Sequence, residues 1–541
     1  MSMRNFIKNS DCKKFYLIVF SIFFSLLFFY FFSYSITIAS DSAHYMSYID
    51  IFKGVSPWSS WDPVRGIVFP TIIATSILLF GKTGIGLLMG SFLFYITMLF
   101  FLFRSVEESI DSKSKWKTIF IVLILLFVIF NPIIFGYYHS LLTEFVGITL
   151  GVIGCYISWK YLKISYDRNK TLFILYSFLF IFLSVFAYAL KQPYISTILF
   201  PFLVSTVIST LENFKLKNIV TRAIVLCVCI ISLLLSISLW NRFLISKDVD
   251  LSSDRNVTNG LGNQLVGAID YVKVVKDGAT YTEDFLSEKG FLTEEERDLL
   301  KNHKNEEYLV VNIYNRDNEQ IDSEIILSKN KFISTKDSIK FILSELIKRP
   351  ISLLDSYTAN YLAIIDVYKT YSPDTVAHIL IREFDWNFIN ENQTIAYRTF
   401  YNPENIFYMS EERKERVNSF YQVNNPPILL NKFMKSLCTP FNYIFKITFL
   451  ILPLSFLLSI FWRIFSDDKS SNKLLNYIII VLGFSFLHLL AHVVTGALID
   501  RYASPAFVTA IIGNILLFYM LFKVIFEKAR YARKRRSARQ Q

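Results

Sequence analysis

The residues best suited to chemistry lie in one stretch, residues 39–81, directly after the first long apolar segment. Asp41 stands where a membrane helix would reach the surface. Arg65 follows Trp58 and Trp61, whose side chains favour the membrane–water boundary. A carboxylate can accept a proton, and a guanidinium can hold an anion. An acid, a cation and boundary aromatics together indicate a reaction site at a bilayer surface.

Three more charged residues stand at the ends of apolar segments, where their types are unexpected. Glu144 opens such a segment, and an ionisable group there is a functional candidate. Lys191 and Arg501, like Arg65, lie on the side that the positive-inside rule leaves poor in cations. A bound ligand would explain their positions. The simpler alternatives are a carboxylate on a helix dipole and snorkelling cationic anchors.

The elements that must position these residues are membrane helices. The 541-residue chain is 53% hydrophobic and 17% aromatic, and 18% of its residues are charged, below the roughly 25% usual in soluble domains. We therefore expect an all-α polytopic membrane protein with a soluble insertion. The net charge of +12 does not indicate nucleic-acid binding. Its densest run, Lys528–Arg536, directly follows an apolar segment, where basic residues mark the cytoplasmic side and attract anionic lipid.

Ten apolar segments approach the length of about 20 residues that a membrane-spanning helix needs. Basic residues follow every second segment, which predicts that both termini are cytoplasmic. The length of the first segment predicts a retained signal anchor. Residue usage rich in Phe, Ile, Lys and Asn suggests a bacterial plasma membrane. The approximate bounds of the segments are 15–38, 84–103, 118–136, 142–162, 171–190, 194–211, 223–240, 441–462, 475–494 and 506–526.

Two shorter helices are predicted between the first two spans. Tyr45, Tyr48 and Phe52 share one face of a short helix because their spacing is i, i+3, i+7. Ile67–Phe80 is mostly apolar but shorter than the roughly 20 residues needed to span. We expect it to lie in the interface or to re-enter the membrane.

The chain divides into three parts. Residues 1–240 form a membrane module of seven spans, and residues 438–541 hold the last three spans and a basic tail. Residues 241–437 contain no span and predict a mainly helical soluble insertion on the outer face.

Four local patterns stand out inside the insertion. Leu292–Leu300 and Asp337–Lys348 are predicted helices, and the Arg-Pro pair that follows ends the second one. Ile351–Tyr368 resumes as a helix that we expect to pack on the membrane surface. Tyr308–Tyr314 is rich in β-branched and aromatic residues, which predicts a strand.

A metal or cofactor is not indicated by the sequence. His488 and His492 share one face of a span, but no acid stands at close spacing. We expect both rings to be buried between helices or to line a substrate cavity. Asp41 is followed by Ser42, and a single carboxylate is a poor cage for a hard cation.

The arrangement resembles the GT-C superfamily of membrane glycosyltransferases, in particular the branch that contains protein O-mannosyltransferases and the lipid A aminoarabinose transferase. Four pieces carry the resemblance: S-D-S-A-H-Y after the first span, R-G-I-V-F-P-T downstream, L-T-E-F at Glu144, and I-D-R-Y-A-S-P-A before the last span. Seven spans before a large outer insertion also resemble the mannosyltransferase plan. The resemblance covers about residues 1–240 and 477–541.

The resemblance implies a reaction without a cofactor. A sugar on a polyprenyl phosphate at the outer face would pass to an acceptor hydroxyl, typically with inversion. Asp41 would be the base, unless it only caps the helix that follows, and Glu144 would support the acceptor. Cations would hold the departing phosphate. The implied donor-binding residues are Arg65, Lys191, Arg501, His44 and Tyr45.

Other functions remain open at this point. A lipid-linked glycan polymerase or ligase would use arginines of the outer insertion, and a transporter or flippase would favour paired half-repeats with ions near the midplane. A non-catalytic scaffold leaves the outer cations unexplained. The acceptor that the resemblance implies would be a cell-envelope glycan, a lipid or a protein, and the outer insertion would select it. The insertion arginines are Arg349, Arg382, Arg398, Arg413 and Arg416.

Overall fold

The structure is a computed structural model, and most of the chain outside the insertion is described in it. The described residues are 24–34, 45, 48–62, 65–81, 84–110, 115–162, 164, 169–212, 216–249, 262, 264–270, 272–276, 308–314, 319–327, 333–370, 428–465, 472–495 and 503–540. The predicted site residues Asp41, His44 and Arg501 lie outside these ranges, as does the predicted helix Leu292–Leu300.

The described chain is built mainly from helices. They are α1 (24–32), α2 (48–52), α3 (Val68–Phe80), α4 (Gly84–Ser109), α5 (Lys115–Ile129), α6 (Pro132–Tyr138), α7 (Glu144–Leu162), α8 (Lys170–Leu190), α9 (Ser196–Glu212), α10 (Leu216–Ile245), α11 (Thr335–Lys348), α12 (Pro350–Thr370), α13 (Ile428–Phe465), α14 (Asn472–Val494) and α15 (Phe507–Gln540). Within these ranges, eight helices are long and apolar enough to cross a membrane, namely α4, α7 to α10 and α13 to α15. The chain therefore has the architecture of a helical polytopic membrane protein.

The predicted span 118–136 is present as a bent pair, α5 and α6, whose axes differ by 61°. Asn131 Oδ1 accepts hydrogen bonds from the backbone N–H groups of Ile133 and Ile134 at 3.0 and 3.2 Å, and Pro132 opens α6. An asparagine cap and a proline in the first turn start a new helix. This break replaces the continuous helix that apolar length alone predicts.

At one end of the bundle, the last turns of α7 and α13 lie beside the start of α14. Trp159 Nε1 donates to Lys473 O at 3.3 Å, and Arg463 Nε donates to Asn476 Oδ1 at 3.0 Å. We call this the tail end, because α15 continues from it into the basic tail. The opposite end begins α7 at Glu144 and is called the site end.

Helix α7 lies at the centre of the bundle, and three glycines let other helices approach its backbone. A Cβ at Gly151 would lie 2.6 Å from Pro505 O and 3.1 Å from the Phe484 ring. A Cβ at Gly154 would overlap Thr197 O. Glycine is the residue that permits such backbone-to-backbone packing in membranes. Helices α9, α14 and α15 are therefore held against α7 at van der Waals contact.

The described part of the insertion contains a small antiparallel sheet. Its strands are β1 (Val272–Lys276), β2 (Tyr308–Tyr314) and β3 (Gln320–Leu327), in spatial order β1-β2-β3. Strand β2 confirms the predicted strand. Because side chains alternate along a strand, one face of the sheet is buried, where Val311 and Ile313 pack with Phe341 of α11. The described insertion thus combines helices with a three-stranded sheet, of which only β2 was predicted.

Helix α12 joins this sheet to the membrane bundle. Asn360 Nδ2 donates to Ala268 O at 2.7 Å and to Val493 O at 3.3 Å. The Tyr361 hydroxyl donates to Phe449 O at 2.5 Å, and Ile364 is buried in the core of the bundle. The helix confirms the predicted Ile351–Tyr368 element and packs directly on spanning helices α13 and α14.

Candidate functional site

The structure brings together two residues that the sequence singles out separately, Glu144 and Lys191. Glu144 is the first residue of α7, and Lys191 directly follows the end of α8. Lys191 Nζ lies 3.6 Å from Glu144 Oε1, and the two side chains are 15% and 1% exposed. A buried carboxylate needs a cationic or hydrogen-bonding partner, because removing it from water is costly. The two residues therefore form one acid–base pair at the site end.

Two hydroxyl groups also lie beside this pair, and neither was predicted from the sequence. Thr143 Oγ1 donates to Glu144 Oε2 at 3.4 Å and lies 3.3 Å from the Tyr194 hydroxyl. Lys191 Nζ lies 5.7 Å from the centre of the Tyr194 ring. Thr143 stands in the L-T-E-F piece and Tyr194 in the adjacent K-Q-P-Y. Proximity in sequence to Glu144 and Lys191 was thus the available signal.

Three helix N-termini meet beside the pair. One is the start of α7, another is the 3-10 turn Gln192–Ile195 that leads into α9, and the third is the turn Ser504–Ala506 that leads into α15. A Cβ added at Gly147 would lie 3.0 Å from the Tyr194 ring and 3.1 Å from Pro505 Cγ. All three helix starts therefore converge within a few residues of Glu144.

The convergence places partial positive charges beside the Glu144–Lys191 pair. Each helix start carries a partial positive charge from N–H groups that lack an intrahelical partner. Lys191 adds a full positive charge and Glu144 a negative one. Ser504 lies in the third of these turns and is fully buried, and its hydroxyl has no hydrogen-bond partner among the described residues. The arrangement suits an oxyanion such as a phosphate.

Arg65 and Tyr45 form a second cationic feature close to the end of α8. Arg65 Nη1 donates to the Tyr45 hydroxyl at 3.2 Å, and the guanidinium carbon lies 5.4 Å from the Tyr45 ring centre. Arg65 Nε also lies 3.8 Å from Asp62 Oδ2. Gly66 fits against the last turn of α8, since a Cβ there would overlap Ala189 O. The loop therefore delivers Arg65 to the helix end that carries Lys191.

An exchange of Gly66 for alanine tests this loop placement. The added Cβ meets backbone oxygen rather than a flexible side chain, so the loop has to move away from α8. We expect Gly66→Ala to lower the thermal unfolding temperature of the detergent-solubilised protein. The matched control is Gly267→Ala, because a Cβ at Gly267 meets nothing within 4 Å. Equal unfolding temperatures for the two variants would contradict the packing described here.

The interfacial aromatics form a packed wall. Trp61 is 2% exposed, stacks on Tyr48 at 4.1 Å and meets Trp240 of α10 edge-on at 5.6 Å. Trp58 stacks on Trp61 at 5.6 Å. Burial raises the pKa of the Tyr48 phenol above its ordinary value, and the Asp62 carboxylate adds to the increase. Trp61 is therefore a packing residue, which favours the structural interpretation of these rings over sugar stacking.

The predicted burial of His488 and His492 is confirmed, and it links them to the site. His488 Nδ1 lies 2.7 Å from Ser196 Oγ, and that hydroxyl donates to Pro193 O at 2.6 Å. Because serine has one hydroxyl proton, the histidine nitrogen must donate to Ser196. The two histidine rings are 4.8 Å apart. His488 thus supports the turn that carries Tyr194. In the described part of the chain, no group of three or more metal-ligating side chains occurs.

Comparison with known proteins gives no relative. No protein-family model, no curated protein and no solved structure matches this chain. The predicted roles of Asp41, His44 and Arg501 stay predictions, because these residues lie outside the described ranges.

Proposed function

We propose that this protein is a membrane glycosyltransferase that transfers a sugar from a polyprenyl-phosphate donor to an acceptor hydroxyl. The reaction would take place at the site end, which would face the outside of a bacterial plasma membrane. The observation that carries the proposal is the buried Glu144–Lys191 pair, set among three helix N-termini at one end of a spanning bundle.

The charges of the site support a phosphate-bearing ligand. Lys191 and the helix starts attract an anion, while Glu144 is the acid that the described part of the site contributes. Arg65 reaches the same helix end from the preceding loop. A departing phosphate is stabilised by preorganised positive charge, which Lys191, Arg65 and the helix starts would supply.

The short helix α3 offers an apolar surface for the lipid chain of the donor. It has 13 residues, or about 20 Å of helix, too short to cross the roughly 30 Å hydrocarbon layer. Leu78 and Leu79 are 83% and 67% exposed. Because α3 begins just after Gly66, its apolar surface leads away from the helix end that carries Lys191. A polyprenyl chain would lie along such a surface.

The proposed reaction is a displacement at the anomeric carbon of the donor sugar. The acceptor oxygen attacks the anomeric carbon, and the bond from that carbon to the phosphate oxygen breaks. The acceptor proton goes to Asp41, which the resemblance assigns as the base. Polyprenyl phosphate leaves with the bonding electron pair, and Lys191, Arg65 and Arg501 stabilise its charge. Glu144 orients the Lys191 ammonium and the acceptor.

A lipid-linked glycan polymerase or ligase is the second candidate function. Of the insertion arginines that it would use, Arg349 forms two ion pairs within the insertion. Arg349 Nη2 lies 2.7 Å from Asp322 Oδ2, and Nη1 lies 2.7 Å from the buried Glu345 Oε1. These hydrogen bonds raise the pKa of Arg349 overall, although burial alone would lower it. The pairing ties α11 to β3, so Arg349 serves the fold of the insertion.

The proposed function is tested by donor turnover. Purified protein in detergent or nanodiscs is mixed with a panel of polyprenyl-phosphate sugars and an envelope extract, and free polyprenyl phosphate is measured. We expect release from at least one donor of the panel. Release only from pyrophosphate-linked donors would shift the assignment to a polymerase or ligase, and release from no donor would contradict the proposal.

A further inference from the structure

An exposed apolar stripe runs along α11 and continues into α12. The spacing i, i+4, i+7, i+8 places its first four residues on one face of α11. The opposite face of α11 is already used, because Phe341 is buried against the sheet. An exposed apolar surface of this extent marks an interaction site. The stripe consists of Ile339, Leu343, Leu346, Ile347, Ile351 and Leu354, which are 49% to 83% exposed.

The attachment of α12 to the bundle fixes how far this stripe can be from the membrane. Tyr361 bonds to Phe449 O, which lies inside the candidate span Tyr443–Phe465. Asn360 bonds to Val493 O at the end of the span Lys473–Val494. Both contacts place the middle of α12 at the membrane boundary.

Helix geometry then bounds the height of the corner between α11 and α12. A helix rises about 1.5 Å per residue, so Leu354 is at most about 10 Å from the level of Tyr361, whatever the tilt of α12. Phe449 itself is about 9 Å along its helix from Tyr443. Leu354 therefore lies near the level at which that span begins, and the corner falls in or beside the headgroup layer.

The charged residues beside the stripe suit a lipid surface. Lys336 and Lys340 are exposed beside the stripe, and Lys348 is exposed on the last turn of α11. The acids nearby are partly engaged: Asp337 lies 3.4 Å from Lys340, and Glu345 is buried against Arg349. Asp355 is the exposed acid of this part of α12. Lysines at the rim of an apolar face extend their ammonium groups to anionic lipid phosphates.

We propose that the α11–α12 corner inserts this stripe into the headgroup–acyl boundary of the membrane that the bundle spans. The occupant of the stripe is thus lipid, as for an amphipathic helix that lies in the interface. The insertion is thereby held to the bilayer at a second place, in addition to the contacts of α12 with α13 and α14. This inference goes beyond the proposed function and does not depend on it.

Site-specific photo-crosslinking tests the proposal on the full-length protein. Benzoylphenylalanine replaces Ile347 in one variant and Leu343 in another, and each protein is irradiated in nanodiscs of phosphatidylglycerol and phosphatidylethanolamine. Mass spectrometry of the digest reads lipid adducts. The control carries the same probe at Ile321, an exposed apolar residue of β3 outside the stripe. Both stripe positions are exposed, so the probe leaves the core intact, and unchanged thermal unfolding checks this.

The expected result is a several-fold higher yield of lipid adducts at Ile347 and Leu343 than at Ile321. Adducts between two copies of the chain at these positions would overturn the proposal in favour of an interface between proteins. Stripe yields equal to that of the control would place the corner in water and also overturn it.

Discussion

Loss of the Lys191 ammonium is expected to reduce donor turnover strongly and to destabilise the protein, for separable reasons. Lys191→Met removes a cation proposed to hold the departing phosphate, and a preorganised group of this kind contributes on the order of 100-fold or more to rate. It also leaves the carboxylate of Glu144, 1% exposed, without its cation. Breaking a buried pair in this way costs about 3–5 kcal/mol.

A double variant separates the two effects. Glu144→Gln with Lys191→Met removes both charges, so thermal stability should return toward that of the wild type. Turnover should stay low, because the phosphate still lacks its cation. Lys170→Met, at the exposed start of α8, is the control and should behave as wild type. If the double variant recovered both stability and polyprenyl phosphate release, Lys191 would be a structural partner of Glu144 and nothing more.

The second large effect is expected at Asp41. Asp41→Asn keeps the size of the side chain but removes its capacity to accept a proton. A general base contributes about 10²- to 10⁴-fold, so polyprenyl phosphate release should fall to near background at saturating donor. Donor binding should persist, because the cations of the site are untouched.

The control for Asp41 is Asp248→Asn. Asp248 is exposed and has a positive φ, a backbone conformation that asparagine also adopts readily. It should retain full turnover. An Asp41→Asn protein that releases polyprenyl phosphate at the wild-type rate would remove Asp41 from the mechanism. In that case Asp41 would be a helix cap, the alternative that its position at a predicted helix start allows.

Local pattern and length predicted the membrane elements well, because the bilayer imposes them. Ile67–Phe80 was predicted as too short to span, and the structure has the helix Val68–Phe80. The shared face of Tyr45 and Tyr48 is buried. The break between α5 and α6 was missed, because the prediction rested on apolar length alone. The pair Asn131-Pro132, a cap residue followed by proline, was the sequence signal for it.

Contacts between distant segments were the part that sequence could not supply. Glu144 and Lys191 were each singled out as charges in unexpected places, but nothing in their spacing predicts that they pair. The burial of the Ser504 hydroxyl depends on how the start of α15 packs against α7, which local sequence does not determine. Strands β1 and β3 were missed because their charged residues interrupt the apolar character that marked β2.

The glycines of α7 decide which parts of this bundle are able to move. At Gly151 and Gly154 the backbone oxygens of Pro505 and Thr197 approach α7, and at Gly147 and Gly151 the rings of Tyr194 and Phe484 pack on it. We therefore expect α9, α14 and α15 to resist sliding along α7. Helices α8 and α10 are only 28% and 17% buried over their apolar windows. We therefore expect microsecond-to-millisecond breathing motions at these peripheral helices, where a lipid-linked donor of the proposed reaction would enter the bundle.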